Sequence, residues 1–573
     1  MTAQIQLEGV TFQYPGTETA VLHDVSLTIE KGTFLAIMGS NGSGKSTLCK
    51  LLNGLIPHYY VGDFSGKVTV KGLDTRESKV AELSHNVGYV YQDFENQLVS
   101  PRVLEDASFA PLNFGYADFQ SRGKRALDLV GLHGLDQEFI WQLSGGQKHL
   151  LALAGALSLD PDILIIDEPV AQLDPQHAEE IYSILRRLNE EFGKTIIVIE
   201  HHTEFIAEFC KEVILMDQGQ VISKKPTKEA LQHVEELIAS QIYPPQVTQA
   251  AFQVGKGYAI NLPVTLPEAC GFFSNDSLRE NRREIDIDFG VQPVDRLPLI
   301  EMEQVAFSYK TITRSKKRVL KEVDLTINRG DHIALVGNNG AGKSSLMRLI
   351  TGLVKPETGK VIVDGINTRD VSPEHLADFI TYVYQNPEQM FIEDSVRKDV
   401  GFFLKARKVT DYQKKVDQIL EQFDLTDLQD RDSRLMSGGQ QRRASLAIGV
   451  AMDPKVILLD EPTANLDIAT RKHITKLIAQ LKRQVGAVVI ATHDMQLVAE
   501  WANRIIVLHE GEIIHDGDRK SVFGNTALLE RAGLKAPQIF QLSQALHIKP
   551  YTYSVAEFVA AWREKVETDG IYE

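Results

Sequence analysis

Short, wholly apolar runs recur along the 573 residues, each closed by glycine or acidic positions. Thr33 to Met38 reads as an apolar strand entering a glycine-rich turn at Gly39, and Leu48 to Leu52, after Lys45, reads as helix. Asp162–Ile166 and Thr195–Ile199 are equally short and apolar, with amphipathic stretches between them. Such strands are buried on both faces, the pattern of a parallel sheet covered by helices. Gln4 to Tyr14 and Pro298 to Tyr309 instead alternate apolar with polar positions, which predicts antiparallel pairing. The longest apolar runs, such as Leu150 to Leu159, are about half of the roughly 20 residues a membrane helix needs, so no bilayer span is predicted.

The pattern occurs twice. GSNGSGKST at 39–47 returns as GNNGAGKSS at 337–345, LSGGQ at 143–147 as MSGGQ at 436–440, ILIIDEP at 163–169 as ILLDEP at 457–462, and IIVIEH at 196–201 as VVIATH at 488–493. The offset is 298 at Lys45 and Lys343, and 293 or 292 from Gln92 and Gln385 onward, so two homologous domains lie in tandem. The change comes from five extra residues between Gly54 and Gly66 that include His58, Tyr59 and Tyr60. Each copy continues past its histidine to a matching Pro-Gln pair, Pro245-Gln246 and Pro537-Gln538, so the repeat includes an appendage. The expected division is a first domain with appendage over 1–254, a linker over 255–298, a second domain with appendage over 299–548, and a tail over 549–573.

Composition narrows the partners. Lys and Arg number 61 against 77 Asp and Glu, a net charge of −16 that disfavours nucleic acid and anionic lipid. Cys49, Cys210 and Cys270 are scattered and odd in number, which predicts no disulfide framework and a reducing cytoplasm. The opening Met1-Thr2-Ala3-Gln4 lacks the basic start and apolar stretch of a secretory leader.

The chemistry lies in the repeated motifs. GxxxxGK[ST] between strand and helix lets backbone N–H groups close on phosphate oxygens at a helix N-terminus. The first copy would use Gly39, Ser40, Asn41, Gly42, Ser43, Gly44, Lys45, Ser46 and Thr47. The second would use Gly337, Asn338, Asn339, Gly340, Ala341, Gly342, Lys343, Ser344 and Ser345. Lys45 and Lys343 would reach the β- and γ-phosphates of ATP, and Ser46 and Ser344 would ligate Mg²⁺. Asp167 and Asp460 end apolar strands where a carboxylate can meet that Mg²⁺. Glu168 and Glu461 follow, placed to take a proton from an attacking water. Ser144, Gly145, Gly146 and Gln147, like Ser437, Gly438, Gly439 and Gln440, have the composition of a second anion-binding loop at a helix start.

In this order the motifs resemble those of ATP-binding cassette (ABC) domains over about 1–250 and 299–548. The resemblance implies an α/β fold of two tandem P-loop NTPase domains, each with a mostly parallel sheet core, an antiparallel β subdomain and a helical subdomain. It implies an ATPase with ATP and Mg²⁺ at two composite sites made as the cassettes pair within one chain. One site would join Gly39–Thr47, Asp167 and Glu168 to Ser437–Gly439, and the other Gly337–Ser345, Asp460 and Glu461 to Ser144–Gly146. Tyr14 and Tyr309 match the adenine-stacking aromatic, with a buried core tyrosine as the alternative reading. Gln92 and Gln385 match the glutamine that senses Mg²⁺, and His201 and His493 match the histidine on the γ-phosphate.

YQDFENQL at 91–98, YQNPEQMF at 384–391 and NGLIPH at 53–58 resemble the ATPases of energy-coupling factor importers. That likeness implies uptake of a small nutrient through a transmembrane coupling protein and a membrane substrate-binding protein. It implies a peripheral place on the cytoplasmic face of a prokaryotic cell membrane. The alternative from another class is a soluble tandem-cassette translation factor acting on ribosomes. Its long charged helical insert has no counterpart in residues 255–298. A fused sugar-importer ATPase fits less well, because both phosphate loops are complete. The first copy departs from the second at Asp93-Phe94, Val170, Glu200 and His202, where the second has Asn386-Pro387, Thr463, Thr492 and Asp494, which predicts unequal rates at the two sites.

Overall fold

The computed structural model describes residues 3–170, 173–255, 261–274, 297–310, 316–464 and 466–569, with side chains to Arg563. It divides into two compact units, Met1–Glu280 with Trp562–Glu573, and Asn281–Ala561. Each unit contains one six-stranded and one four-stranded sheet.

In the first unit the larger sheet runs Gln220–Pro226, Glu212–Asp217, Phe34–Gly39, Thr195–Ile199, Ile163–Asp167, Val87–Val90. Its last five strands are parallel, with Ile163 opposite Thr195 and Phe34 opposite Ile196, and only the Gln220–Pro226 edge is antiparallel. Phe34–Gly39, Ile163–Asp167 and Thr195–Ile199 are buried at every position, which is why they read as unbroken apolar runs. The strand expected at Asp162–Ile166 lies one residue later, so Asp167 closes it. The smaller sheet, Leu22–Glu30, Ala3–Gln13, Asp63–Val70, Leu73–Asp74, is antiparallel, and Leu22–Glu30 alternates buried with exposed positions.

The second unit repeats this plan. Its sheet order is Ile380–Val383, Val456–Asp460, Ala487–Ala491, His332–Val336, Arg504–His509, Glu512–Gly517, beside an antiparallel sheet of Lys316–Asn328, Pro298–Lys310, Thr358–Val363 and Ile366–Asn367. Helices Val103–Ala107, Phe119–Leu129 and Gly145–Leu157 pack together in the first unit, as Val396–Ala406, Tyr412–Gln422 and Gly438–Ala451 do in the second. Two apolar cores in each unit, one under the helices and one between the two sheets, hold the strand ends in place.

The expected boundaries shift. Residues 261–274 belong to the segment read as linker, yet they contain helix Leu266–Ser274 and join the appendage, where Thr248 donates to the Pro263 carbonyl at 2.7 Å. Residues 256–260 and 275–296 of that segment lie outside the described residues. The expected tail carries helix Val555–Asp569, with Phe558 and Trp562 buried. Both proline-led appendages form helices, Gln246–Val254 and Gln538–Ala545, and in each a glutamine (Gln249, Gln541) donates to the carbonyl five residues earlier at 2.7 Å. Among the described residues no helix is long and apolar enough to cross a membrane.

Candidate functional site

Each phosphate loop is held where its strand ends. Gly39 closes strand Phe34–Gly39, and a Cβ there would sit 2.5 Å from the Met216 carbonyl; at Gly337 it would sit 2.1 Å from that of Leu508. The loop turns through Gly42 and Gly44 at φ 84° and 96°, and in the second unit through Gly340 and Gly342 at φ 84° and 109°, before helices Lys45–Leu52 and Lys343–Ile350 begin. The Ser43 carbonyl accepts from Gly219 N–H, and the Ala341 carbonyl from Gly511 N–H, so a β-turn of the larger sheet pins each loop. Lys45 spans its loop, donating to the Gly39 and Ser40 carbonyls at 2.9 Å. Lys343 donates to those of Gly337 and Asn338 at 2.6 and 3.2 Å. Tyr14 meets Thr47 at 3.3 Å through its hydroxyl, and Ser345 donates to the Tyr309 hydroxyl at 3.4 Å. Tyr14 is half-buried and packs against the apolar core of its unit, and Tyr309 is exposed.

Facing each loop is the strand-end acidic pair. Asp167 and Asp460 are buried, and burial, more than the neighbouring Glu168 or Glu461, holds each carboxyl above the ordinary aspartate range. Ser46 and Ser344 hydrogen-bond these carboxylates. Glu168 and Glu461 then adopt left-handed backbone at φ 51° and 44°, unusual for glutamate, while their N–H groups bond the Ile199 and Ala491 carbonyls at 3.0 and 2.9 Å. That turn aims the second carboxylate away from the strand and toward the histidine.

The two clusters differ in detail. Glu168 accepts from Gln92 Nε2 at 2.7 Å, and His201 Nε2 lies 3.2 Å from its other oxygen. A cavity of about 210 Å³ lined by Asn41, Gly42, Gly44, Lys45, Ser46, Thr47, Gln92 and Glu168 brings these predicted residues together. In the second unit Glu461 pairs with His493 Nδ1 at 2.9 Å. Burial pushes Glu461 up, but His493 and Lys343 outweigh it and hold the carboxyl below the ordinary glutamate range. Burial pulls His493 down, but Glu461 outweighs it and keeps the imidazole above its ordinary value. The Gln385 side chain is exposed, and its backbone carbonyl accepts from buried Arg442 at 2.7 Å.

Several supporting residues escaped the sequence reading. Tyr89 and Tyr382 donate to Asp167 and Asp460 at 3.3 and 2.5 Å. Buried Asp106 caps the N–H groups of Val99 and Ser100, and buried Asp399 those of Ile392 and Glu393, at 2.8–2.9 Å. Each pair recurs at the offset of 293, which is the signal that could have found them. Arg442, which burial pulls down to about 10, corresponds to His149, which burial pulls down to about 4 and which stacks on Phe94 with ring centroids 4.4 Å apart.

Ser144, Gly145, Gly146 and Gln147 do not line the cavity of their own unit. They start helix Gly145–Leu157, and Ser437–Gln440 start Gly438–Ala451. The serine hydroxyls are already engaged as caps, accepting from the Gln147 and Gln440 N–H groups at 3.2 and 3.5 Å, while the glutamine side chains accept from the serine N–H groups. A Cβ on Gly145 or Gly438 would meet nothing within 4 Å, whereas on Gly146 or Gly439 it would lie 2.5 Å from His177 or Thr470.

A family model described as ABC transporter matches residues 22–171 and 320–464. A relative from Methanosarcina acetivorans, named for ABC transporter ATP binding, is 35% identical over 552 residues, 93% of this chain and 89% of the relative. A second, from Caldanaerobacter subterraneus subsp. tengcongensis and similarly named, is 33% identical over 556 residues, 95% of this chain and 96% of its own. Among solved structures, cbiO1 from Clostridium perfringens, part of the ABC transporter complex cbiONQ, is 32% identical, with a TM-score of 0.38, covering 42% of this chain and 94% of its own. With the family match on both halves and relatives aligned over nearly their whole length, the chain belongs to the ABC transporter family, as an ATP-binding subunit that carries two ATPase cassettes.

Proposed function

We propose that the chain drives uptake of a small nutrient, hydrolysing ATP at two composite sites while docked peripherally on the cytoplasmic face of a prokaryotic membrane. Its partners on this reading are a transmembrane coupling protein and a membrane substrate-binding protein. The observation that carries the catalytic part is the cluster repeated in both cassettes: phosphate-loop lysine, strand-end Asp-Glu pair, and a histidine within 3.2 Å of Glu168 or 2.9 Å of Glu461. Support for the importer class is the YQDFENQL and YQNPEQMF segments and NGLIPH.

Lys45 and Lys343 leave the loop carbonyls for the terminal phosphates of ATP. Ser46 with Asp167, and Ser344 with Asp460, would hold Mg²⁺; these oxygen donors already approach one another, and phosphate oxygens complete such a set. Held by these residues, Mg²⁺ would supply positive charge that offsets the charge of the phosphates. Glu168 and Glu461 accept the proton of the attacking water, Gln92 and Gln385 would join the residues that sense Mg²⁺, and His201 and His493 reach the γ-phosphate. The Ser144–Gln147 and Ser437–Gln440 helix starts close on the nucleotide of the other cassette. Equilibrium titration should saturate at two MgATP per chain with release of ADP and phosphate, and saturation at one removes the second site. Copurification in mild detergent should bring down a coupling protein; only ribosomal components instead would overturn the importer reading.

A further inference from the structure

In both cassettes the residue before the histidine is pinned identically by its backbone, Glu200 N–H to the Ile37 carbonyl and Thr492 N–H to the Leu335 carbonyl, each at 3.2 Å. The loops that carry the histidines are then anchored by unrelated side chains. In the second cassette the anchor follows the histidine. Asp494 caps the Leu497 N–H at 3.1 Å, accepts from Thr463 at 3.1 Å and pairs with Arg471 at 3.2 Å, while the Thr492 hydroxyl accepts from the Asp494 N–H at 3.0 Å and hydrogen-bonds the Glu461 carboxylate.

None of those partners exists in the first cassette, where Val170, Ala178 and His202 stand at the positions of Thr463, Arg471 and Asp494. Instead the carboxylate precedes the histidine. Glu200, 1% exposed, accepts from the backbone N–H groups of His201 and His202 at 2.7 and 2.8 Å through one oxygen, and from the Tyr182 hydroxyl at 2.8 Å through the other. Tyr182 is wholly buried between Phe34 and Phe205, so its hydroxyl is a fixed donor. A buried carboxylate persists where donors replace its lost water, and here three donors reach both of its oxygens.

We infer that Glu200 is a positioning residue for the first ATP site: held by Tyr182, it fixes the backbone of His201 and thereby sets the imidazole against Glu168. The five substitutions at 170, 178, 182, 200 and 202 are then one exchange of anchor, Asp494 with Arg471 and Thr463 in one cassette, Glu200 with Tyr182 in the other. The inference rests on the proposed role of His201, and its test separates the two.

The test uses the full chain with Glu461→Gln, so that single-turnover hydrolysis of MgATP reports the site containing Glu168. Glu200→Ala should slow it roughly 10- to 100-fold, the scale of a misplaced group, with the ATP dissociation constant changed by less than about threefold. Glu200→Gln should recover most of the rate, because its amide oxygen still accepts both N–H groups and its NH₂ can donate to Tyr182. Because Glu200 acts through His201, the double variant Glu200→Ala/His201→Ala should be no slower than His201→Ala alone, whereas a merely structural role would add its own loss. Should the alanine variant fail to fold, Glu200→Thr carries the same comparison, since Thr492 shows that this position accepts threonine. A rate within about twofold of the parent for Glu200→Ala or Glu200→Thr, a glutamine as slow as alanine, or additive losses in the double variant would each overturn the positioning role. An unaffected rate in His201→Ala would overturn the reading of the site itself, and the positioning role with it.

Discussion

Alanine at the two inner glycines of each phosphate loop should weaken ATP binding unequally. Gly42 and Gly44 both have left-handed backbone, at φ 84° and 96°, so alanine at either bears the roughly 1–2 kcal/mol that a Cβ costs there. They differ in their surroundings. A Cβ on Gly42 meets nothing within 4 Å, but on Gly44 it lies 2.8 Å from Leu22 Cδ2 and 3.0 Å from the Val21 carbonyl. Overpacking of that kind adds about 1–3 kcal/mol, for a total near 2–5 kcal/mol. If the loop relieves the strain by leaving its ATP-ready shape, the dissociation constant rises by the same factor: about 5- to 30-fold for Gly42→Ala, and about 30-fold or more for Gly44→Ala. The second cassette supplies a replicate, because Gly340 is open and Gly342 meets Leu320 Cδ2 at 2.8 Å and the Val319 carbonyl at 3.1 Å. The measurement is equilibrium titration with MgATP in a Glu168→Gln/Glu461→Gln background, which suppresses turnover, with each loop tested separately. Equal weakening at the open and crowded positions, or the reverse order, in both cassettes would refute the reasoning.

A Cβ at Gly145 or Gly438 meets nothing within 4 Å, so Gly145→Asp and Gly438→Asp should each unfold at the parent temperature while impairing the site built on the other cassette's lysine, Lys343 and Lys45 respectively; impairment of the same cassette's site would count against composite sites. Glu168→Gln and Glu461→Gln should each cost roughly 10²–10⁴-fold at their own site. Single-turnover rates should leave more residual activity in Glu168→Gln, and equal residues would reject the asymmetry. The raised imidazole of His493 and the lowered carboxyl of Glu461 describe one ion pair. Its contribution is complete above the ordinary glutamate and below the ordinary histidine value, and is lost as pH rises through the raised value of His493. His493→Gln should therefore cost more stability at about pH 6 than at about pH 9 in denaturant titrations, and a pH-independent difference would contradict the pairing.

Gln92 and His201 were named only through the likeness to ABC domains, but the tandem repeat, the parallel and antiparallel portions, each phosphate loop with its lysine and the strand-end Asp-Glu pairs were legible in the sequence for a local reason. A strand end, a glycine turn and a helix start are contiguous, so their chemistry is written in adjacent letters. Helix Leu266–Ser274 was not legible, since only packing against the appendage, through contacts such as Thr248 to Pro263, marks it off from a linker. Nor could the differences at Val170, Glu200 and His202 be read as more than departures. Tyr182 meets Glu200 across 18 residues, and Thr463 and Arg471 meet Asp494 across 31 and 23, separations with no period that a pattern can register. Only the packing of helices Pro175–Glu190 and Ile468–Leu481 against the strands beside them brings those groups within hydrogen-bonding distance. Because a buried carboxylate requires partners wherever the chain places it, tertiary structure decided which residue anchors each histidine.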